Sequence, residues 1–459
     1  MTDSTATDAG AAGGAQTQKV GLYSYYVVTL LTIAYVFNFI DRQIVGIASP
    51  GIKEDLDLSD AQLGLLKGFA FALLYTIAGI PIARWADRSS RVRIVSLAVV
   101  VWSGFTAISG FANNFWQMLL ARIGVGIGEA GCSPPSHSII SDYFPKEQRA
   151  TALGIYSLGI PIGIMLAYLA GGLTIAYFGW RTAFIVVGLP GVLLGALIYF
   201  TVREPERGAM DGPAVAPKPS DEGYTLYAAA RHVFSIPTYF YACAGITAAS
   251  FTGYAATFWV VDFYRRSHPD LPFETLVLML GLISGLAYGL GTFFGGYLTE
   301  RAAQKDKRYY MLFPSVAMLL AAPLMALQLF AADVWMSLMY VALFQILMGV
   351  YLAPSFAMVQ ILSPVAIRAL STAVFFFVLN IIALGFGPTF VGVVSDFYIT
   401  SVYGVDIDAV SEEVAKATQS EALRWALFWS GFGLLLASAF YWRASRFIVD
   451  DWRKATGES

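Results

Sequence analysis

Twelve long stretches of apolar residues run through this chain, and they decide what it can fold into. They cover residues 23–47, 61–84, 92–111, 115–141, 150–176, 181–202, 235–261, 273–299, 309–331, 335–362, 369–396 and 424–443. A stretch of about 20 apolar residues is long enough to cross the hydrocarbon core of a bilayer as a helix. Backbone groups find no water in lipid, so segments that cross it in this way must be helical. The sequence therefore predicts an all-α membrane protein with twelve transmembrane helices.

The composition excludes the other broad classes of protein. Only 13% of the 459 residues are charged and 57% are hydrophobic, whereas a soluble domain carries about 25% charged residues. This balance excludes a soluble enzyme, a disordered chain and a fibrous repeat. The formal net charge of −2 gives no basic surface for nucleic acid. The two cysteines, Cys132 and Cys243, lie in separate apolar stretches and are expected to form neither a disulfide framework nor a metal site.

Basic residues predict how the helices are oriented. With the N-terminus placed inside, 20 of the 29 Lys and Arg residues fall in inner segments, six in outer segments and three within spans. Cytoplasmic loops carry such an excess in membrane proteins. We therefore expect a multi-pass protein of the cell membrane (inner or plasma membrane) with both termini in the cytoplasm. Residues 1–20 lack the basic and apolar regions of a signal peptide and are expected to form a disordered cytoplasmic tail.

The chain divides into two six-helix halves that resemble each other. We predict an N-terminal bundle at 21–202, a cytoplasmic linker at 203–234, a C-terminal bundle at 235–443 and a cytoplasmic tail at 444–459. The second and eighth spans match at an offset of 213, which aligns Tyr75 with Tyr288 and Arg88 with Arg301. The fourth and tenth spans match at an offset of 219. Parallel repeats of this kind are a transporter architecture.

Three motifs carry a family resemblance. Residues 83–93, Ala-Arg-Trp-Ala-Asp-Arg-Ser-Ser-Arg-Val-Arg, resemble the signature between helices 2 and 3 of the major facilitator superfamily, although Ala83 and Ser90 stand where the family prefers Gly. Residues 122–130 resemble its fourth-helix signature, and residues 154–163 partly resemble the fifth-helix Gly/Pro signature of antiporters. The resemblance implies the two-bundle fold of that superfamily and transport by alternating access.

A narrower resemblance points to one branch of the superfamily. Residues 38–42, Asn-Phe-Ile-Asp-Arg, together with residues 126–130, Gly-Ile-Gly-Glu-Ala, resemble the spinster-like transporters. This resemblance implies export of lysophospholipids or sphingosine 1-phosphate. An Asp-Arg pair in the first helix also occurs in organic-anion transporters. A proton-coupled organic-anion or drug transporter of the same superfamily is therefore the alternative.

Five charged residues lie within the predicted spans, and all five belong to the N-terminal half. They are Asp41, Arg42, Lys67, Arg122 and Glu129. Charged side chains within a membrane are costly and mark functional sites by default. Burial disfavours the charged form of a carboxylate, so Glu129 and, second, Asp41 are predicted to carry the coupled proton. Arg42 and Arg122 are predicted to bind a phosphate or carboxylate headgroup.

Other residues complete the predicted substrate site. Asn38 belongs to it from the N-terminal half, and Tyr288, Tyr351 and Asn380 are the candidates from a C-terminal half that otherwise supplies apolar contacts. The alternative for the charges of helices one and four is a set of permanent ion pairs. Lys67 lies near the outer end of its span, so its long side chain is expected to reach outward.

The repeated loops carry a second group of charges. The predicted gating residues are Asp87, Arg88, Arg91, Glu300 and Arg301. The family resemblance implies that such groups pair with nearby helices in the outward-open state and separate when the halves rock. The alternative is a solvated, positively charged loop.

Together these features predict a proton-coupled secondary transporter of amphipathic, lipid-like anions, and no enzyme. We expect a monomer in the lipid bilayer, with no cofactor, no metal and protons as the coupling ion. His137 and Asp142 fit the H-x₄-D spacing of glycerolipid acyltransferases, which leaves a membrane acyltransferase as a remote alternative. A channel would need pore-lining polarity and, in most cases, oligomeric symmetry, and the asymmetric charges of the two halves favour a carrier instead.

Overall fold

The structure, a computed structural model, describes residues 21–210, 226–364, 367–404 and 406–456. Within these ranges all regular structure is helical. Ten helical stretches are long and apolar enough to cross a membrane. One of them, Thr151–Thr201, has 51 residues and turns at Gly179, whose φ of 80° favours glycine, so it holds two spans. The helices over residues 115–143 supply the twelfth span, and the predicted all-α fold of two six-helix bundles is confirmed.

The N-terminal bundle contains six spans, several of which are interrupted. Span 1 is Leu22–Leu56, span 2 is Asp60–Lys67 with Phe69–Arg88, span 3 is Arg91–Ser109, and span 4 is Phe115–Glu129 with Ser133–Tyr143. Span 5 contains Lys146–Ser157, Gly159–Leu166 and the π-helical segment Ala167–Gly172. The helix Leu173–Thr201 then holds the end of span 5 and, after Gly179, span 6.

The C-terminal bundle repeats this arrangement. Span 7 is Pro237–Ser267, and span 8 joins Phe273–Leu282, the π-helical Ile283–Ala287 and Tyr288–Ala303. Span 9 is Tyr309–Phe330, and span 10 is Val334–Gly349 with Leu352–Leu362. Span 11 joins Arg368–Leu379, the π-helical Asn380–Phe386, Gly387–Phe397 and the π-helical Tyr398–Val402. Span 12 is Glu412–Ser430 with Phe432–Ala444.

Among the described residues, two short α-helices lie in the segments for which the sequence predicted only a linker and a tail. They are Leu226–Phe234 and Ile448–Thr456. The second packs through Ile448 and Trp452, which are buried. Both are amphipathic helices, too short to be recognised by a search for apolar stretches. The predicted tail at 1–20 and the linker residues 211–225 lie outside the described part of the chain.

The helix ends define two faces of the molecule. The Tyr23 hydroxyl donates to the Thr201 carbonyl at 2.8 Å, so span 1 begins where span 6 ends. The Thr238 N–H donates to the Asp451 carboxylate at 3.0 Å, which ties the start of span 7 to the C-terminal helix. We call this side the linker face, because both ends of the linker lie on it. The side that carries loops 57–59 and 268–272 is the opposite face.

The two bundles pack against each other toward the opposite face. A Cβ atom at Gly68 of span 2 would lie 2.5 Å from the Gly385 carbonyl oxygen, and one at Gly64 would lie 2.8 Å from that of Pro388. Only glycine permits this approach of span 2 to span 11. The Thr389 hydroxyl also donates to the Gly64 carbonyl at 3.2 Å. Close backbone packing therefore joins the bundles on this side of the site described next.

Candidate functional site

A buried pair of charges joins spans 1 and 4. Nε of Arg42 donates to Oε2 of Glu129 at 2.6 Å. The Glu129 side chain has no exposed surface, whereas 13% of the Arg42 side chain is exposed. Glu129 is the last residue of the helix Phe115–Glu129, so the interruption of span 4 follows it directly. The pair holds the two spans together and leaves part of the guanidinium accessible.

Aromatic rings surround the Arg42 guanidinium. Its central carbon lies 4.9 Å from the ring centre of Tyr75, 5.2 Å from that of Phe71 and 5.3 Å from that of Phe39. Tyr254 of span 7 is a further electrostatic neighbour, so the C-terminal bundle also reaches this side chain. Such contacts stabilise a cation without neutralising it. Arg42 is therefore a positive group held between the two bundles.

Asp41, Arg122 and Asn38 are fully buried beside this pair. Nη1 of Arg122 donates to the Asp41 backbone carbonyl at 3.4 Å. Within the described residues, neither carboxylate oxygen of Asp41 accepts a hydrogen bond, and the amide group of Asn38 makes none. The buried Thr106 hydroxyl and Trp102 indole N–H are potential donors beside Asp41, but neither reaches hydrogen-bond geometry with its carboxylate. Most buried polar atoms in proteins are paired. Protonation of a carboxylate, or a small movement of a helix, could therefore give these unpaired atoms hydrogen-bond partners.

The four charges that the sequence singled out in spans 1 and 4 thus lie together. Asp41 and Arg42 point to different neighbours, as their positions on a helix require. Of the predicted binding residues Arg42, Arg122 and Asn38, Arg42 is partly exposed and the other two are buried. The roles assigned to these residues stay predictions.

The C-terminal bundle contributes hydroxyls and rings at the predicted positions. The Tyr351 hydroxyl and Ser250 Oγ lie 2.9 Å apart, and the Tyr441 hydroxyl and Ser355 Oγ lie 2.7 Å apart. Tyr351 is buried, and its hydroxyl joins span 10 to Ser250 of span 7. Tyr288 and Asn380 are half-buried. Tyr288 directly follows the π-helical segment of span 8, and Asn380 is the first residue of the π-helical segment Asn380–Phe386 in span 11.

A second charge network crosses between the bundles near the opposite face. Asp60, at the start of span 2, has no exposed side chain. Nη1 and Nη2 of Arg266 in span 7 donate to its two carboxylate oxygens at 2.7 Å each. Lys53 of span 1 and the Ser395 hydroxyl of span 11 also donate to this carboxylate. Four donors from three spans therefore meet one buried carboxylate.

Lys67 belongs to a neighbouring buried ion pair, so the expectation that it reaches outward is wrong. Its Nζ lies 2.6 Å from Oδ2 of Asp262 in span 7 and 3.6 Å from the ring centre of Trp259. The Ser49 hydroxyl donates to the same Asp262 oxygen at 2.6 Å. A buried counter-ion removes the reason for a lysine to extend to the surface.

The expectation that the C-terminal half holds no charge within its spans is also wrong. Span 7 was predicted to end at residue 261, but the helix continues to Ser267 and encloses Asp262 and Arg266. Asp60 lies one residue before the predicted start of span 2. The internal repeat could have indicated the importance of Arg266. The offset of 213, extended back to spans 1 and 7, aligns Lys53 with Arg266, and both residues bind Asp60 in the structure. Tyr254 carried no comparable signal.

The charged side chains that the structure describes at the linker face pair within their own bundles. Arg91 of span 3 is buried, pairs with Asp142 and donates to Glu204 at 2.8 Å. Arg88 and Glu300 are exposed, and Arg301 donates to the Tyr297 hydroxyl of its own helix at 3.0 Å. The side chain of Asp87 lies outside the described part of the structure. The predicted gating role is for an outward-open state and stays a prediction.

The two residues of the acyltransferase spacing do not form a site together. The His137 ring lies edge-on to Tyr156, with ring centres 5.2 Å apart. Asp142 is occupied by Arg91 and by the N–H of Gly208 at 3.0 Å. A general base and its acidic partner need a mutual contact.

Comparison with known proteins agrees with the fold. The family model of the Major Facilitator Superfamily matches residues 31–388. An MFS-type efflux pump of Mycolicibacterium smegmatis is 30% identical over 373 residues, which cover 81% of this chain and 85% of that protein. Human protein spinster homolog 1 is 30% identical over 325 residues, which cover 67% of this chain and 61% of the human protein.

A solved structure gives the same result in three dimensions. The crystal structure of a bacterial homolog to the human lysosomal transporter Spinster, in an inward-facing and unoccupied conformation, superposes with a TM-score of 0.84 at 32% identity. The match covers 94% of this chain and 98% of that one. The chain is a multi-pass membrane transporter and not an enzyme, and it belongs to the major facilitator superfamily as a spinster-like member.

Proposed function

We propose that this transporter carries an amphipathic anion, of lysophospholipid or sphingosine 1-phosphate type, by proton-coupled alternating access. The pair of Arg42 and Glu129 carries the proposal, because the guanidinium is partly exposed while the carboxylate is fully buried. An anionic headgroup and Glu129 compete for the same guanidinium. A proton on Glu129 removes that competition and frees Arg42 for a phosphate or carboxylate.

Asp41 is the second proton site in this proposal. Its carboxylate is buried without a hydrogen bond from the described residues, and Arg122 and Glu129 are its charged neighbours. A proton exchanged between the two carboxylates changes how Arg122 divides its interaction between spans 1 and 4. This movement would couple protonation to the packing of the N-terminal bundle.

The rings of the C-terminal bundle suit the apolar part of such a substrate. Tyr254 and Tyr288 are half-buried on spans 7 and 8, opposite the charged half. An amphipathic ligand would place its head at Arg42 and its chain along these rings. A water-soluble anion would bind Arg42 in the same way, but it has no apolar chain to contact the rings.

Orientation and state complete the proposal. The linker face carries most of the basic residues, so we place it, and both termini, in the cytoplasm of an inner or plasma membrane protein that acts as a monomer. Since the bundles are joined toward the opposite face, the described state is closed to the outside. Fusion of a cytoplasm-dependent fluorescent reporter to the C-terminus tests this orientation, and an inactive reporter would contradict it.

Proteoliposomes with an imposed pH gradient test the coupling. We expect the gradient to drive accumulation of a labelled lysophospholipid, and Glu129→Gln to abolish accumulation while exchange of the same lipid without a gradient continues. Glu412→Gln, in an exposed ion pair with Lys416, is the matched control and should accumulate substrate normally. Unchanged accumulation by Glu129→Gln would show that this carboxylate does not carry the coupled proton.

An organic anion or drug is the second candidate substrate class. Among the relatives are the MFS-type efflux pump and, at 29% identity, a protein described as a probable L-galactonate transporter of Escherichia coli. A competition assay separates the two classes. Full competition by a water-soluble sugar phosphate, with none by a long-chain lysolipid, would overturn the lipid proposal and favour this one.

A further inference from the structure

A groove runs along the outer surface of the N-terminal bundle at its linker-face end. It has a volume of about 550 Å³ and lies where spans 2, 3 and 6 meet. Leu97, Val100 and Ala196 line its apolar part, together with the exposed rings of Trp85 and Phe200. Spans 3 and 6 touch at Gly195, where a Cβ atom would lie 2.7 Å from Val100 Cγ2. The groove is separate from the site around Arg42, because spans 1 and 4 do not line it.

The end of the groove nearest the linker face is polar and positively charged. Ser89, Ser90 and Arg93 line it. Arg93 is exposed and forms no ion pair with another residue of the described ranges. The nearby carboxylate of Glu204 is occupied by Ser90 at 2.7 Å and by Arg91 at 2.8 Å, so it does not neutralise Arg93. A cation therefore stands at the mouth of an apolar groove.

The position of the groove indicates which kind of molecule it can bind. It opens on the surface that faces lipid in a membrane protein, with its charged end at the level of the headgroups. A peptide in the apolar part would leave backbone groups unpaired in lipid. An acyl chain has no such groups, and anionic lipids are attracted to basic side chains next to a membrane surface.

We infer that this groove binds an anionic phospholipid of the linker-face leaflet, with one acyl chain between spans 3 and 6 and its phosphate on Arg93. The bound lipid bridges the loop between spans 2 and 3 and the end of span 6. It also lies beside Ser90, which already donates to Glu204. Occupancy of the groove therefore stabilises the same end of the bundle as the Arg91–Glu204 network does.

Tryptophan quenching by brominated lipids tests this inference on the full chain in nanodiscs. Trp85 lines the groove and is 50% exposed, and the difference between wild type and Trp85→Phe isolates its signal from the other nine tryptophans. We expect brominated phosphatidylglycerol to quench Trp85 at a mole fraction about fivefold lower than brominated phosphatidylcholine, the effect expected of one basic side chain at an anionic surface. Arg93→Gln should remove this preference, and Ala196→Phe, which fills the groove, should reduce quenching by both lipids.

Trp442 provides the matched control on the other bundle. It is also 50% exposed at the linker face, and the Arg446 guanidinium lies 3.9 Å from its ring centre, outside the groove. Quenching of Trp442, isolated with Trp442→Phe, should be unchanged by Arg93→Gln and by Ala196→Phe, which also shows that both variants are folded. Equal quenching of Trp85 by the two lipids would overturn the inference. So would a lipid preference that survives Arg93→Gln, or quenching by both lipids that is unaffected by Ala196→Phe.

Discussion

The molecule contains two clusters of buried charge that differ in how fully their polar atoms are paired. Near the opposite face, the Asp60 carboxylate accepts hydrogen bonds from Arg266, Lys53 and Ser395, and those from Arg266 and Ser395 run between the bundles. Around Arg42 the cluster stays within spans 1 and 4, and both oxygens of Asp41 lack a hydrogen bond from the described residues. The Asp60 carboxylate is fully hydrogen-bonded and joins the two bundles. The charges around Arg42 belong to the N-terminal bundle, and some of their polar atoms are unpaired within the described ranges.

This difference indicates that the cluster around Asp60 stabilises one conformation, whereas the cluster around Arg42 can change its protonation state. A buried carboxylate with a full set of donors resists protonation and movement, since each bond must be broken at once. A buried carboxylate without donors is poised to take up a proton or to gain a partner. We therefore expect substitutions in the first cluster to change which conformation is populated, and substitutions in the second to change coupling more than stability.

Asp60→Asn should give the largest effect. It leaves the buried guanidinium of Arg266 without its bidentate partner, and losing one member of a buried pair costs about 5 kcal/mol at the upper end of the usual range. The closed state of the opposite face should lose population by orders of magnitude. Spin labels at Glu54→Cys and Thr400→Cys, both exposed near this face, would report a longer distance between the bundles.

The control for Asp60→Asn is an ion pair near the same face that does not join the bundles. Glu412 and Lys416 form an exposed pair on one helix. Glu412→Gln should leave the distance between the labels unchanged. An unchanged distance in Asp60→Asn itself would mean that glycine packing, and not this network, closes the opposite face.

Lys67→Met comes next in expected size. It removes one member of the buried pair with Asp262, and we expect the free energy of unfolding to fall by about 3 kcal/mol. Adding Asp262→Asn should restore part of that loss, because no uncompensated charge is then buried. Thermal unfolding of the two single variants and the double variant measures the coupling, and additive losses would contradict a direct ion pair.

The sequence predicted the fold and singled out the four charged residues of the cluster around Arg42. Runs of apolar residues predict helices because lipid leaves the backbone no other partner, and Arg42, Arg122 and Glu129 stood out within them. Asp60 and Asp262 did not, because each lies one residue outside an apolar stretch whose end is set by packing and not by composition. The two bundles bring both residues into the interior.

Partners between distant segments could not be predicted from the sequence. Lys67 was expected at the surface, since nothing in its own span indicates that Asp262 lies 2.6 Å away. This ion pair depends on how the two bundles pack against each other, and the order of apolar and charged residues within one span does not predict that packing. The repeat offset was the one feature that linked the halves, and it aligned Lys53 with Arg266.

Asp41→Asn should separate coupling from stability within the incomplete cluster. Because Asp41 receives no hydrogen bond from the described residues, its replacement by the similar amide should change the free energy of unfolding by about 1 kcal/mol or less. Accumulation driven by a pH gradient should nevertheless fall to the level seen without a gradient. Parallel unfolding and proteoliposome assays measure both quantities. A large loss of stability with intact coupling would assign Asp41 to the permanent ion pairs instead.

Glu204→Gln should give the smallest effect, because Glu204 lies at the linker face and 32% of its side chain is exposed to solvent. Partial burial acts to raise the pKa of Glu204, but hydrogen bonds from the Val92 N–H, Arg91 and Ser90 outweigh it and hold that pKa below its ordinary value. A carboxyl group of this kind adds stability above its unfolded pKa of about 4.3 and loses it as the pH falls through its folded pKa. Allowing for solvent, we expect a loss of about 0.5–1 kcal/mol at pH near 7.

The pH dependence of this loss distinguishes a charge effect from a packing effect. Thermal unfolding of wild type and Glu204→Gln should differ at neutral pH and converge as the pH falls below about 4, where the wild-type carboxyl is protonated in the unfolded chain and increasingly in the folded one. Glu206→Gln, an exposed position in the same segment, should match wild type throughout. If the gap for Glu204→Gln persists at low pH, the side chain acts through its shape. The linker face would then be held, like the contact of Gly68 with span 11, by packing and not by charge.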